Sequence, residues 1–300
     1  MKNFIFPGYP HFVKLEKDLK LEKKSIYILL TPLFLIIALW VYVKKKFIHN
    51  PKTNFYFFDG VSKNCREIKD NAAGWRALDI IYNYRKGNEN PFADFWYDLR
   101  SSQGTRNRIK LIKFLLLRNI KEISKNNKEV RLISIASGSA QGIIEVIDEA
   151  KRNGIIVKAV LIDLDLAALE HSRKLAQEMK VEDQVIFINK TASFINKIGR
   201  EFKPHLIEVV GFLEYRPFDK ALELIRSTYQ ILENEGILLI SHIAPNLESF
   251  FLKEVINWLM IYRKPKEVAK LLSLADFNLK NCSFYWEPLK IHYTVECKKL

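Results

Sequence analysis

Two stretches of the sequence carry residue types at a spacing that could do chemistry. The first, Arg131-Leu-Ile-Ser-Ile-Ala-Ser-Gly-Ser-Ala-Gln-Gly142, runs from an apolar strand into small residues able to turn sharply and open a helix. The second, Val160-Leu-Ile-Asp-Leu-Asp165, is another apolar strand that closes on two carboxylates. A small-residue turn at a helix N-terminus offers backbone N–H groups and the positive end of the helix dipole, and a carboxylate one strand away suits ribose hydroxyls. Together they predict a site for a nucleoside-containing cofactor.

The turn narrows the cofactor. A dinucleotide fingerprint needs glycine at each fixed position of G-x-G-x-x-G so that a pyrophosphate can reach the backbone, and here that register gives Ala136, Gly138 and Gln141. The elbow of a serine hydrolase, G-x-S-x-G, is spelled by Gly138 to Gly142 except at its centre, where Ala140 has no nucleophilic oxygen. A phosphate-binding loop would need G-x-x-x-x-G-K-[ST], and both the spacing and the lysine are missing.

What remains resembles the class I S-adenosylmethionine-dependent methyltransferases. Their first strand reads hydrophobic-(D/E)-hydrophobic-G-x-G-x-G, which falls here on Ser134, Ala136, Gly138 and Ala140. Asp163 sits where the family carries its ribose carboxylate, Asp165 is placed to cap the next helix, and Thr191 stands where the family often has an adenine-contacting Asp. The resemblance implies S-adenosyl-L-methionine as cofactor, held by Ala136, Ser137, Gly138, Asp163, Leu164, Thr191, Ala192 and Gly211. It continues through a fourth strand, His205 to Tyr215, a fifth, Glu235 to His242, and a closing hairpin. The resemblance implies an α/β fold, a Rossmann-like, seven-stranded, doubly wound sheet with an antiparallel C-terminal hairpin; with the segments upstream, the expected fold adds an N-terminal helical cap and a single transmembrane helix.

The catalytic groups are less determined. His242, Glu214 and Tyr215 are the titratable residues that fall at the carboxyl edge of the fourth and fifth strands, where a general base would stand. His171, on the helix after the second strand, reads as solvated. For the acceptor, Trp75 and Arg106 lie in the expected cap, and Trp258, Tyr262 and Arg263 follow the fifth strand, where substrate-facing insertions lie in this family; Arg106 or Arg108, opening the longer cap helix, also offers a guanidinium fork that matches the cofactor's carboxylate. The same positions are equally consistent with core packing or a solvated surface. The signature of amino-methyltransferases, (D/N)-P-P-(F/Y), is replaced by Val209-Val-Gly-Phe-Leu-Glu-Tyr215, which argues against methylation of a nucleobase amine.

These pieces need elements to position them. The apolar spacing of Trp75, Leu78 and Tyr82, and of Ile112, Leu116, Ile120 and Ile123, predicts helices, interrupted between Gly87 and Pro91. Upstream, Ile26 to Val43 is an uncharged run of eighteen residues flanked by lysines. As a helix it would span about 27 Å, close to the ~30 Å apolar core of a bilayer. A buried helix is the other reading. The expected organisation is a basic segment 1–25, a transmembrane helix 26–43, a juxtamembrane linker 44–70, a helical cap 71–127 and the methyltransferase domain 128–300. The cofactor then sets the location as a single-pass membrane protein whose catalytic domain faces the cytoplasm.

Composition bounds the partners. The net charge is +14, and residues 1–70 hold thirteen Lys and Arg against six Asp and Glu, so half of the excess flanks the apolar run. Attraction to anionic lipid accounts for that half, and no dense basic stripe elsewhere indicates nucleic acid. Cys65, Cys282 and Cys297 are odd in number and widely spaced, which points to neither a disulfide framework nor a metal site and fits a reducing compartment. The expected activity is transfer of a methyl group to a lipid or other hydrophobic small molecule at a membrane. The alternatives are a catalytically silent, methyltransferase-like binding module at the membrane and a soluble small-molecule methyltransferase.

Overall fold

The computed structural model describes residues 10–15, 19–23, 29–48 and 55–300. Among the described residues, the α-helices before the sheet are α1 (Thr31–Ile48), α2 (Lys63–Asp70), α3 (Trp75–Asn83), α4 (Pro91–Tyr97) and the 25-residue α5 (Arg100–Ser124). Their starts are written in the sequence. Ser62 Oγ accepts the Cys65 N–H at 3.0 Å to cap α2, and Asn90 Oδ1 accepts the Phe92 and Ala93 N–H groups at 3.0 Å while Pro91 begins α4. An aromatic cluster joins this layer to the rest of the chain, with Trp96 stacked on Phe251 at 5.5 Å between ring centres.

The sheet contains β1 (Val130–Ile135), β2 (Val157–Asp163), β3 (Val185–Asn189), β4 (Leu206–Val209), β5 (Ile237–Ile243), β6 (Cys282–Trp286) and β7 (His292–Lys298), in the order β3-β2-β1-β4-β5-β7-β6. The first five strands are parallel, and β7 runs antiparallel to both β5 and β6. Between them lie α6 (Gln141–Arg152), α7 (Leu166–Glu178), α8 (Ile195–Phe202), α9 (Phe218–Ile231), α10 (Ser249–Glu254) and α11 (Pro265–Leu274). The strands are apolar on both faces because helices cover both. Ile133 and Ile135 of β1 pack in the core that holds α9 and α11, while Val130 and Leu132 pack in the core that holds α5 and α6. The chain leaves β1 for β2 on one side and returns to β4 on the other, so the carboxyl ends of β1 and β4 part around a crevice.

The structure corrects the expected transmembrane helix. Residues 26–28 lie outside the described residues, and the helix that follows runs from Thr31 through Lys44, Lys45 and Lys46 to Ile48. Among the described residues no helix is long and apolar enough to cross a membrane. Hydropathy alone missed the helix frame: Pro32 sets its start, and three lysines fall inside it. Its Phe34, Ala38 and Val41 stripe is buried in the same cluster as Phe251 of α10, and Lys45 Nζ donates to Asn257 Oδ1 at 2.7 Å. An i, i+4, i+7 stripe packed on protein is the signature of a helix that belongs to the fold. The fold class with a transmembrane helix, and the single-pass membrane location with a cytoplasm-facing domain, both fall with it.

One further expectation changes. The described residues within 44–70, the expected linker, include the end of α1 and all of α2, whose Cys65 and Ile68 are buried. Cys282 and Cys297, far apart in sequence, are direct cross-strand partners on β6 and β7 and form a disulfide. Spacing along the chain could not reveal an antiparallel register.

Candidate functional site

The crevice is lined at its centre by the turn from β1 into α6. Ala136, Gly138 and Ala140 adopt left-handed φ values of 54°, 57° and 47°. For each alanine this backbone costs about 1–2 kcal/mol, so the turn holds the shape that glycines would give more cheaply. Three contacts fix it: Ser137 N–H donates to Ile162 O at 3.1 Å, Gly138 N–H to Asp163 Oδ2 at 2.8 Å, and Ser172 Oγ to Gly138 O at 3.0 Å.

Asp163 ends β2 at the rim of this crevice. Its Oδ2 accepts from Gly138 and its Oδ1 accepts the Asp165 N–H at 2.8 Å, so each oxygen keeps a lone pair for a ligand. Asp165 in turn caps α7, accepting the Ala167 N–H at 2.9 Å, and accepts the Trp75 Nε1–H at 3.0 Å. Trp75 thereby closes the crevice from the cap: a Cβ built on Gly138 would lie 3.4 Å from the Trp75 Cβ. Leu164, Gly211 and Tyr215 also line the crevice.

The residues present fit a nucleoside cofactor with a charged amino-acid tail. Ser137 Oγ is buried at the crevice wall without a partner, and Gly138 and Gly211 present bare backbone there. Asp163 and Leu164 supply a carboxylate and an exposed apolar side chain at one end. At the other end stands Glu208 of β4, a residue that the sequence reading passed over. It is buried, its Oε2 accepts from Ser134 Oγ at 2.6 Å, and burial pushes its carboxyl up to about 7. The signal was present as a lone acid inside the apolar run Leu206-Ile-Glu-Val209.

A second cavity, mostly apolar, lies between the cap and the ends of β4 and β5. Leu78, Arg108, Gly211 and Tyr215 line both spaces, so the cavity adjoins the crevice directly. Phe58, Trp96, Trp258 and Met260 form much of its wall. Its polar groups are few and underused. Arg108 donates through Nη2 to Tyr82 OH at 2.8 Å and through Nη1 to Glu214 Oε1 at 3.4 Å. Arg108 Nε, Glu214 Oε2 and His292 Nδ1 are buried without partners. Burial raises the Glu214 carboxyl above the usual range despite Arg108 beside it. Trp258 Nε1–H donates to Tyr215 OH at 2.6 Å, and burial raises that phenol.

The structure thus gathers Trp75, Ala136, Ser137, Gly138, Asp163, Leu164 and Gly211 in the crevice, with Tyr215, Glu214 and Trp258 at the adjoining cavity. It sends the others elsewhere. Thr191 and Ala192 follow β3 and do not line the crevice, and Thr191 Oγ1 sits 2.9 Å from Ser193 Oγ. Arg106 pairs with Glu22 at 2.7 Å, leaving Arg108 as the arginine of the site. Tyr262 packs beside Leu289 and Ile291. His242 is fully buried and lines neither space. Arg263 Nη1 can only donate, so His242 Nε2 accepts from it at 3.0 Å and the ring proton sits on Nδ1, facing Ile243 O at 3.0 Å. Burial pushes His242 down to about 4. Arg263 also donates to Leu213 O at 2.9 Å, which ties the segment after α10 to the loop after β4.

Comparison with known proteins agrees with this architecture. Residues 71–284 match the model of a family described as "putative methyltransferase". By sequence, no curated protein matches. Among solved structures, a Bordetella parapertussis protein described as a possible exported protein shares 17% identity at a TM-score of 0.66, covering 79% of this chain and 86% of that one. Magnesium protoporphyrin IX methyltransferase from Synechocystis, solved with S-adenosylhomocysteine, shares 14% identity at a TM-score of 0.56, covering 78% and 98%. The same enzyme solved with S-adenosylmethionine gives 13% and 0.54 over 78% and 95%.

Proposed function

Since the chain belongs to the methyltransferase family whose model spans residues 71–284, and is built as a class I S-adenosylmethionine-dependent methyltransferase, we propose that it methylates a hydroxyl of a hydrophobic small molecule held beneath the helical cap. One observation carries the choice of acceptor: a mostly apolar cavity adjoins the crevice, with Leu78, Arg108, Gly211 and Tyr215 in the walls of both.

Asp163 would hold the ribose, the turn at Gly138 would receive the amino-acid half, and Leu164 would lie against the base. When bound, the cofactor supplies an electrophilic methyl group on a sulfonium, whose bonding electrons stay with sulfur as the acceptor oxygen takes the methyl. The protein's own part is placement, exclusion of water and removal of a proton. Trp75 over the turn and Trp96 of the cap, with Trp258 of the segment after α10, exclude water. Glu214 takes the hydroxyl proton on its free Oε2, and its raised affinity for protons makes it a stronger base than an exposed carboxylate. Arg108 steadies the other oxygen of Glu214 and keeps Nε for the acceptor.

The test is methyl transfer from isotopically labelled S-adenosylmethionine into fractionated extracts, with lipid and non-lipid apolar fractions kept apart. Label should enter a product soluble in organic solvent, and Glu214→Gln should lower the rate by ~10²–10⁴ while cofactor binding stays intact. Label in polar products only would refute the acceptor class. No transfer at all from a protein that binds the cofactor would favour a silent binding module.

A further inference from the structure

Glu208 is a buried carboxylate that lines the crevice from a central strand of the sheet. It sits on β4 as the register partner of Ser134 on β1, and the two strands are central and covered on both faces. Among the described residues Ser134 Oγ is its one hydrogen-bond partner. A buried carboxylate with a single neutral donor is costly, and it stays charged only if a cation reaches it. The protein's own candidate, Arg108 on α5, is already engaged by Tyr82 and Glu214. Asp163 and Asp165 stand at the β2 end of the crevice.

The sheet order fixes what arrives. A cofactor whose ribose meets Asp163 on β2 and whose chain crosses the turn after β1 ends beside β4, because the strands run β2-β1-β4. We infer that Glu208 receives the α-ammonium of the cofactor's amino-acid end, so that the acid missing from β1 at Ser134 is supplied by the neighbouring strand. This rests on the crevice being the cofactor site. The carboxyl near 7 in the free protein adds a consequence: a bound cation favours the ionised form, so binding near neutral pH drives off a proton.

Calorimetry with two probes tests it. S-adenosylhomocysteine carries the ammonium without a sulfonium, and 5′-methylthioadenosine lacks the amino-acid end altogether. For the native protein, S-adenosylhomocysteine affinity should rise about tenfold from pH 6 to pH 8, as Glu208 ionises through about 7. Its binding heat at pH 7 should vary with the buffer's ionisation enthalpy. Glu208→Gln should bind S-adenosylhomocysteine at least tenfold more weakly at pH 8, without the pH trend, and 5′-methylthioadenosine as tightly as the native protein does. The double variant Ser134→Asp, Glu208→Val, which returns the acid to β1, should regain most of the S-adenosylhomocysteine affinity. Equal S-adenosylhomocysteine affinity in Glu208→Gln overturns the inference. So does an equal loss for both probes, which marks a structural role. If the native protein binds neither probe, the crevice is not the cofactor site and both readings fall.

Discussion

Asp163→Ala would separate the internal role that this carboxylate has in the fold from the ribose-binding role proposed for it. Internally, the side chain accepts two backbone N–H groups at 2.8 Å, from Gly138 and Asp165. Stranding a half-buried N–H costs about 1–3 kcal/mol, so the variant should unfold at a lower temperature than the native protein. Toward the cofactor, the two free lone pairs would hold the ribose diol. Charge-assisted bonds of this kind are worth ~1.5–3 kcal/mol each, and loss of even one raises Kd about tenfold or more. The assay is calorimetric titration with S-adenosylhomocysteine at a temperature where the variant is still folded. Asp165→Ala is the control, since it loses the α7 cap and the Trp75 contact but keeps Asp163. Asp163→Ala should lose at least tenfold in affinity and Asp165→Ala less. An Asp163→Ala protein that binds within twofold of the native one would refute the ribose assignment.

Gly138→Val should abolish cofactor binding with little change in far-UV circular dichroism, because a φ of 57° strains a branched residue and its side chain would project into the crevice beside Trp75; undiminished binding would move the cofactor elsewhere. His242, neutral in the fold near 4 against 6.5 when unfolded, contributes stability that is complete above about 6.5 and is lost as pH falls through about 4, ~3 kcal/mol in all. Denaturant titrations from pH 7 to 4 should show that loss, and His242→Gln should lack it. In α1, Ala38→Arg should destabilise the protein by several kcal/mol because that site is fully buried, whereas Ile36→Arg, 65% exposed, should leave the melting temperature nearly unchanged; equal effects would mean that α1 is not packed on the cap.

What was legible in the sequence was local. A strand, a small-residue turn and a helix are consecutive in the chain, and so are β2 and its carboxylates, which is why Gly138 and Asp163 could be read together. Resemblance carried the order of later strands, but not which side chains face the crevice. Arg106 and Arg108 are two residues apart on one helix and point to different neighbours, Glu22 and Glu214, a choice that periodicity cannot make. His242 lies one residue before the end of β5 and is fully buried, beside Tyr293 across the sheet and Arg263. Glu208 escaped notice because the acid was sought on β1, and its closeness to Ser134 exists only through strand register. The apolar run before residue 44 shows the limit of hydropathy, which reports that a segment avoids water but not whether lipid or protein covers it.

The most direct test of the account is a crystal structure with S-adenosylhomocysteine bound. Its ribose should lie against Asp163, its amino-acid end should cross the Gly138 turn to Glu208, and its sulfur should face the cavity at Tyr215 and Glu214. Density for the ligand anywhere other than this crevice, or an amino-acid end pointing away from β4, would contradict it.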